Sequence, residues 1–338
     1  MKKLISLALA LVLCLAVFAT ASASVYDGQR VRVVIGSTST SGDTYMATET
    51  AMRYLAKYLN ADIKVDAVGA SEAFEAMKSS KPDGLTIMSF HDMTYLSVLF
   101  GTYDESYSLD HYVIGPRIGQ NPGSCFYVRD DAPYATMKEI AEYMKANPDA
   151  TVRVAIEDGS VSHVGFAAYY VWVAETYGAE VASQFRVALS GSTSTKLQML
   201  WDGNIDLLFA DYSGQKQYTE EGVEADLKLK FSGMMDDIPG VEGLPMMYDD
   251  GITLAGEPFH FSKDFLLYLP EGTDPAVVAE LDAAMAKVAE DPDFQADMLA
   301  LTYNPSVLPS AEAEAFIRAK SDIMKTIIDA MPSLDDMM

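Results

Sequence analysis

The sequence predicts an α/β protein built from two similar units. Apolar, β-rich runs alternate with helical stretches along most of the chain. That alternation occurs twice, and a mainly helical segment closes the chain.

The first unit reads strand, helix, strand, helix, strand. Val31–Ile35 is an unbroken β-branched run apart from Arg32, and Thr44–Leu59 carries a helical pattern. Ile63–Val68 is a second strand, Glu72–Ser79 a short helix and Leu85–Phe90 a third strand, with Pro82-Asp83-Gly84 as the turn before it. This order implies a parallel sheet with helices on both faces. In the second unit, Val113–Ile118 and Ser124–Val128 read as extended. Thr136-Met137-Lys138-Glu139 is a capping box opening a helix. Strands follow at Val152–Ile156, Phe185–Leu189 and Ile205–Ala210, with helices at Val164–Tyr177 and Lys196–Trp201, the latter ended by Gly203. After a strand at Phe265–Leu269, Thr273-Asp274-Pro275 starts a helix with an apolar face of Val277, Leu281, Ala284 and Val288. Asp291-Pro292 restarts a short helix, Ser310–Ile327 is the last one, and Asp335–Met338 is expected to fray.

The first residues point to export. Lys2 and Lys3 precede an uncharged apolar run, Leu4–Phe18, and the small-residue site Ala21-Ser22-Ala23. This is the pattern of a signal peptide cleaved after Ala23, and the run is too short to span a bilayer comfortably. Leu13 is too large for the position before a lipidated cysteine, so Cys14 is not expected to carry an anchor. Cleavage leaves Cys125 alone, which excludes an intramolecular disulfide. The formal net charge is −25, or −27 once Lys2 and Lys3 are removed. Such a charge argues against nucleic acid and anionic membranes as partners.

Three strand-to-helix loops share one chemistry: Gly36-Ser37-Thr38-Ser39-Thr40-Ser41-Gly42-Asp43, Glu157-Asp158-Gly159-Ser160-Val161-Ser162-His163, and Ser190-Gly191-Ser192-Thr193-Ser194-Thr195. Ligands of open α/β sheets bind beyond the carboxyl ends of strands, where such loops lie. Helix starts offer free N–H groups and a partial positive charge to an anion, while glycine allows close approach. Ser, Thr and Asp also serve as plain helix caps, but one cap needs one residue and these loops hold five or six. Asp43 is either a cap or the acceptor of a substrate ammonium.

No catalytic, metal or dinucleotide set stands out. Ser160 and His163 lack a Gly-x-Ser-x-Gly elbow. His91, His111, His163 and His260 show no metal-ligand spacing, and no Gly-x-Gly-x-x-Gly follows a strand. No cofactor and no metal are expected. Trp172 and Trp201 read as helix residues packed in the core.

Several segments, in order, are similar to one family. Val33–Asp43 sits where that family has a strand, a glycine-rich loop and an aspartate. Lys81-Pro82-Asp83-Gly84-Leu85-Thr86-Ile87 resembles its Pro-Asp-Gly-Tyr-Thr-Leu segment. Leu200-Trp201-Asp202-Gly203-Asn204-Ile205-Asp206 and Leu269-Pro270-Glu271-Gly272-Thr273-Asp274-Pro275, with Asp291-Pro292 downstream, resemble two more. On these residues nearly all of the mature chain resembles the extracytoplasmic receptors of the tripartite tricarboxylate transporters, the Bug proteins. The first loop departs from the family in being Ser/Thr-rich. Met46-Ala47-Thr48-Glu49 lacks the family's arginine, and Asp66-Ala67-Val68-Gly69 replaces its Asn-Arg-Pro-Gly.

The resemblance implies a type II periplasmic-binding-protein fold, a Venus flytrap with two α/β lobes joined by two crossover strands. It implies no enzyme activity. It implies a small carboxylate as ligand (a di- or tricarboxylate or related organic acid) and membrane transporter subunits as partners, for a monomer outside the cytoplasmic membrane. The extra hydroxyls suggest a smaller or more hydroxylated acid. Lobe one is expected over 24–122 and 234–338 and lobe two over 123–233, with hinges near Gly123 and Gly233. Ligand contacts are expected from Ser37, Ser39, Thr40, Ser41, Gly42 and Asp43 in the first loop. Ser89, Phe90 and His91 should follow them beyond the third strand, with Asp92 beside them. Gly159, Ser160, Ser162, His163, Ser192, Thr193, Ser194 and Asp211 complete the set from lobe two, with Tyr212 a weaker candidate. A sensor feeding a two-component system, a receptor of another tripartite family, and a secreted serine hydrolase using Ser160 and His163 are the rival readings.

Overall fold

The computed structural model describes residues 24–254, 256–328 and 334; residues 1–23, read above as an export signal, and the terminal residues 335–338 lie outside them. The first unit runs β1 (Arg30–Ile35), α1 (Asp43–Leu59), β2 (Asp62–Ala67), α2 (Ala70–Ser79), β3 (Thr86–Phe90), α3 (Met93–Leu99) and β4 (Tyr112–Asn121). The second runs β5 (Ser124–Arg129), α4 (Met137–Ala146), β6 (Val152–Ile156), α5 (Val161–Tyr177), α6 (Ala179–Ala182), β7 (Phe185–Leu189), α7 (Thr193–Trp201), β8 (Leu207–Asp211), α8 (Tyr212–Gln215) and β9 (Leu229–Met234). A small hairpin, β10 (Thr253–Leu254) and β11 (Glu257–Pro258), precedes β12 (Lys263–Pro270), α9 (Pro275–Glu290), α10 (Pro292–Ala300) and α11 (Ser310–Ile328).

Local chemistry sets many of these limits. Thr136 and Glu139 form the predicted capping box of α4. Asp274 and Asp291 cap α9 and α10, each followed by a proline in the first turn. Asn60 ends α1 in the left-handed conformation, which asparagine tolerates better than most residues. Helix α5 starts three residues before the predicted Val164, because Ser160 caps it.

Two five-stranded sheets result, in the orders β2-β1-β3-β12-β4 and β7-β6-β8-β5-β9. The two α/β lobes are as expected, but the expectation of a parallel sheet holds only for part of each. β1 pairs in parallel with β2 and β3, and β6 with β7 and β8, but β12 runs antiparallel to β3 and β4, and β5 antiparallel to β8 and β9. Pro122 and Gly123 carry the chain from β4 directly into the other sheet. β12 returns from that sheet and lies beside β4 in the opposite direction, with Lys263 opposite Asn121. Gly233 sits inside β9, opposite Phe126, with the return segment beginning after it. Strand β9, the hairpin and the short helices α3, α6 and α8 have no counterpart in the sequence reading.

The predicted face of α9 is buried: Val277, Leu281, Ala284 and Val288 pack with Val33, Leu55, Phe265 and Leu267. A second apolar cluster runs continuously from Phe74 and Phe90 near the first sheet to Phe126, Phe166 and Phe185 in the second. Full burial of one such side chain contributes about 1.5–3 kcal/mol. Helix α11 touches α3 and, across the gap, α5. Cys125 is buried and unpaired in β5, just after the crossing.

Candidate functional site

The carboxyl ends of β1, β3, β6, β7 and β8 carry the loops that define the site. At the end of β1, a Cβ on Gly36 would come within 2.1–2.3 Å of the tip of the Phe90 ring, so only glycine lets the loop lie against that ring. Phe90 and Ser89 are fully buried beneath the loop, and the Ser89 hydroxyl is 2.7 Å from Thr48 Oγ1. Above them the serines hold one another. Ser39 N donates to Ser37 Oγ at 3.1 Å, Ser41 N to Ser39 Oγ at 3.2 Å, and the Ser39 and Ser41 hydroxyls are 3.2 Å apart. Thr38, Ser39, Thr40 and Ser41 are exposed, and Gly42 is partly so.

Asp43 resolves the choice left open by the sequence in an unexpected way. Gly42 is the N-cap of α1, and it makes no side-chain cap bond. Asp43 instead pairs with an ammonium from its own chain: Lys263 Nζ lies 2.6 Å from Asp43 Oδ2, with side chains 11 % and 14 % exposed. Burial works against both charges. The Lys263 charge nevertheless holds the Asp43 carboxyl well below the usual range, and Asp43 and Asp211 hold the Lys263 ammonium above its usual value. Asn121, fully buried at the end of β4, donates from Nδ2 to Asp43 at 3.1 Å and to Asp211 Oδ2, while its Oδ1 accepts from Gly123 N at 2.8 Å. One amide thus joins Asp43 from the first sheet to Asp211 from the second. Asp211 also caps α8, accepting from Ser213 N at 3.0 Å. Burial and the neighbouring Asp43 raise its pKa.

His91 stands next to this cluster. Its Nδ1 accepts from Met93 N at 3.3 Å, which places the ring proton on Nε2. Burial and the nearby Lys263 push its pKa down to about 3, so it is a neutral donor. Behind it lies a buried quartet. Lys320 Nζ is 2.5 Å from Asp92 Oδ1 and 2.6 Å from Asp264 Oδ2, and Arg117 Nη1 is 2.7 Å from Asp264 Oδ1. Two cations balance two carboxylates and tie α11 to the base of the cleft.

In the second sheet, Ser160 caps α5. Ser162 N donates to Ser160 Oγ at 3.1 Å, and Ser160 Oγ donates to Glu157 O at 2.8 Å. Ser162 Oγ accepts from Glu157 N at 2.8 Å. The His163 ring stacks on Phe100 of the first unit, centroids 3.7 Å apart and planes 16° from parallel. Its Nδ1 faces Asp158 Oδ1 at 3.2 Å. Burial pushes the His163 pKa down to about 4 against the pull of Asp158. Thr102 Oγ1 reaches Asp158 Oδ2 at 3.3 Å, and Gly159 (φ +66) lies so close to Ser97 and Thr102 that a side chain would collide. This loop therefore packs directly against the first unit. Ser192 caps α7, accepting from Thr195 N at 3.3 Å, and Ser194 bonds Ser192 at 3.0 Å. Thr193 begins the helix.

Two residues escaped the sequence reading as ligand groups. Lys196, in the first turns of α7, is only 4 % exposed. Among the described residues its ammonium has neither a hydrogen-bond partner nor a carboxylate within 4.0 Å. Burial lowers its pKa to about 8, partly offset by Glu157. The Glu157 carboxylate lies against Gly191 and likewise has no hydrogen-bond partner among the described residues. Burial raises its pKa, and Lys196, Lys263 and Asp43 all act on it. A lysine at helical spacing reads as a solvated residue, and Lys263 lies just before the predicted strand Phe265–Leu269. Only the folded chain brings both inside.

Elsewhere, Asp236, Asp237 and His260 bring ligand atoms within 4.8 Å of one another on the return segment, a grouping invisible in the sequence spacing. Two surface depressions, one lined by Tyr58, Asn60 and Glu280 and one by Lys78, His111 and Glu271, lie away from the loops. Trp172 and Trp201 are partly buried; Trp172 packs on Tyr169 and Tyr177, and Trp201 Nε1 donates to Leu227 O at 3.2 Å. Among the described residues, no helix is long and apolar enough to cross a membrane.

A family model described as "Tripartite tricarboxylate transporter family receptor" matches residues 46–332. No curated protein matches the chain. Among solved structures, a TctC solute-binding protein from Polaromonas is similar with TM-score 0.64 at 19 % identity, over 90 % of this chain and 100 % of that one. MatC from Rhodopseudomonas palustris, solved with malate, gives TM-score 0.69 at 18 % identity, over 89 % and 99 %. Another R. palustris protein, solved with adipate, gives 0.69 at 14 % identity, over 89 % and 96 %. At these identities the likeness establishes the two-lobed fold.

Proposed function

The chain belongs to the family of tripartite tricarboxylate transporter receptors, and from that premise we propose that its cleft captures a small carboxylate outside the cytoplasmic membrane for delivery to membrane transporter subunits. The observation that carries this reading is Lys196. Its ammonium lies over the Phe209 ring, 5.6 Å from the centroid, and among the described residues no carboxylate pairs with it, so water alone completes its hydration in the open cleft. Such a group persists where an anionic guest completes it. It stands at the start of a helix, beside the α5 loop, within reach of groups from both sheets. MatC and its adipate-bound relative hold carboxylates on the same fold.

The lobes in this reading are 24–122 with 234–338, and 123–233. A guest held by Lys196 and the α5 and α7 loops on one side, and by the first loop and His91 on the other, favours the closed arrangement, because only that arrangement makes both sets of contacts. The Ser37–Ser41 hydroxyls, the Ser192–Ser194 hydroxyls and the His91 Nε2–H supply adaptable donors. Residues 1–23 direct export, and the receptor acts as a monomer without covalent chemistry. Ser160 is turned to Glu157 O and Ser162 rather than to His163, which weighs against a hydrolase.

The test is thermal unfolding of the purified mature chain with a panel of organic acids. A ligand at 100 times its Kd stabilises the folded state by about 2.7 kcal/mol. Absence of any shift, together with absence of an organic acid released from undialysed protein in the mass spectrum, would remove the proposal.

A further inference from the structure

Among the described residues, the carboxylates of Asp43, Asp211 and Glu157 and the ammoniums of Lys196 and Lys263 act on one another in the cleft, while Asp158 on the α5 loop is engaged by His163 and Thr102. His91 beside them is neutral. The pairing among them is unequal. Lys263 is spent on Asp43 at 2.6 Å. Asp211 is occupied by Ser213 N at 3.0 Å and by Asn121 Nδ2. What remains is one ammonium, Lys196, and one carboxylate, Glu157. Each feels the other's charge, neither has a hydrogen-bond partner among the described residues, and they are more than 4.0 Å apart.

We infer that the cleft selects an acid with one carboxylate for Lys196 and an N–H or O–H donor for Glu157 at its other end, over a dicarboxylate of the same length. The inference rests on the carboxylate reading above. It follows from charge and from hydrogen-bond type. A first carboxylate completes Lys196. A second one meets Glu157 and Asp211 with no cation left to receive it, and two carboxylates offer each other no proton unless one is taken up from solvent. An ammonium or hydroxyl in that place satisfies Glu157 directly, and it leaves no buried acceptor unpaired. The Lys263–Asp43 pair shows the same complementarity made within the chain.

Matched pairs of probes test this: 4-aminobutyrate and 4-hydroxybutyrate against succinate, and 6-aminohexanoate against adipate, titrated calorimetrically into the full mature chain at neutral pH. The donor-bearing member of a pair is expected to bind at least tenfold tighter. In Glu157→Gln, whose amide can donate to a carboxylate, the ratio should fall by about tenfold. The wild-type ratio stands by itself if that variant does not fold. A tighter dicarboxylate in the wild type, or an unchanged ratio in a folded Glu157→Gln, overturns the inference while leaving carboxylate capture intact. Silence from every acid overturns both.

Discussion

Lys263 Nζ lies 2.6 Å from Asp43 Oδ2, although 219 residues separate the two in the chain and both are largely buried. The pair converts the aspartate of the first loop from an open acceptor into a neutralised wall of the cleft. Asp43→Asn should leave Lys263 charged and poorly paired, at a cost of about 3–5 kcal/mol in chemical denaturation. Replacing both partners, as Asp43→Asn with Lys263→Met, should recover most of it. A double-variant loss equal to the sum of the Asp43→Asn and Lys263→Met losses would show that the pair contributes no coupling.

Lys196→Met should separate binding from stability. Loss of the ammonium is expected to weaken carboxylate binding by tenfold to a hundredfold. The unliganded protein at neutral pH should hold its stability or gain about 1–3 kcal/mol, since an unpaired buried charge is removed. Calorimetry and denaturation read the two effects independently.

The same lysine fixes a pH dependence. Its pKa in the unliganded protein is lowered from 10.5 to about 8, and a carboxylate binds the protonated form. Affinity should therefore be level below about pH 8 and fall by up to tenfold per pH unit above it. Lys196→Met should abolish that slope.

His163 and His91 act at the other end of the scale. Their folded-state pKa values are depressed from 6.5 to about 4 and about 3. Neutral forms favour the fold, so this stability is present above pH 6.5 and is lost as pH falls toward 4. Across its window the effect is up to about 3 kcal/mol for His163 and up to about 5 kcal/mol for His91. The slope of melting temperature between pH 6.5 and 4.5 should flatten in His163→Phe, a substitution that keeps an aromatic ring against Phe100.

Gly36→Ala should be severe, since its methyl meets the Phe90 ring. A loss of about 2–4 kcal/mol is expected, and Gly36→Ala with Phe90→Leu should regain part of it. Near-neutral behaviour of Gly36→Ala would mean that the ring moves aside freely.

Much of the fold was legible because it depends on neighbours in sequence. The strands at Val152–Ile156 and Phe185–Leu189 match the reading residue for residue, as does the Thr136–Glu139 box. The three polar loops could be found because glycine and hydroxyl residues cluster there. Strands β5 and β12 were legible as extended, but their antiparallel direction was not, because direction is set by where a distant segment returns, not by the pattern of the strand itself.

The sequence by itself determined the two α/β units, the loops at their strand ends and the resemblance to one receptor family, since periodicity, caps and turn residues act over a few positions. Tertiary structure alone decided the charges of the cleft. It brought Lys263 to Asp43, set Asn121 between Asp43 and Asp211, and buried Lys196 opposite Glu157. The strength and pairing of a charge depend on distance and on loss of water, and both arise only once remote segments fold together.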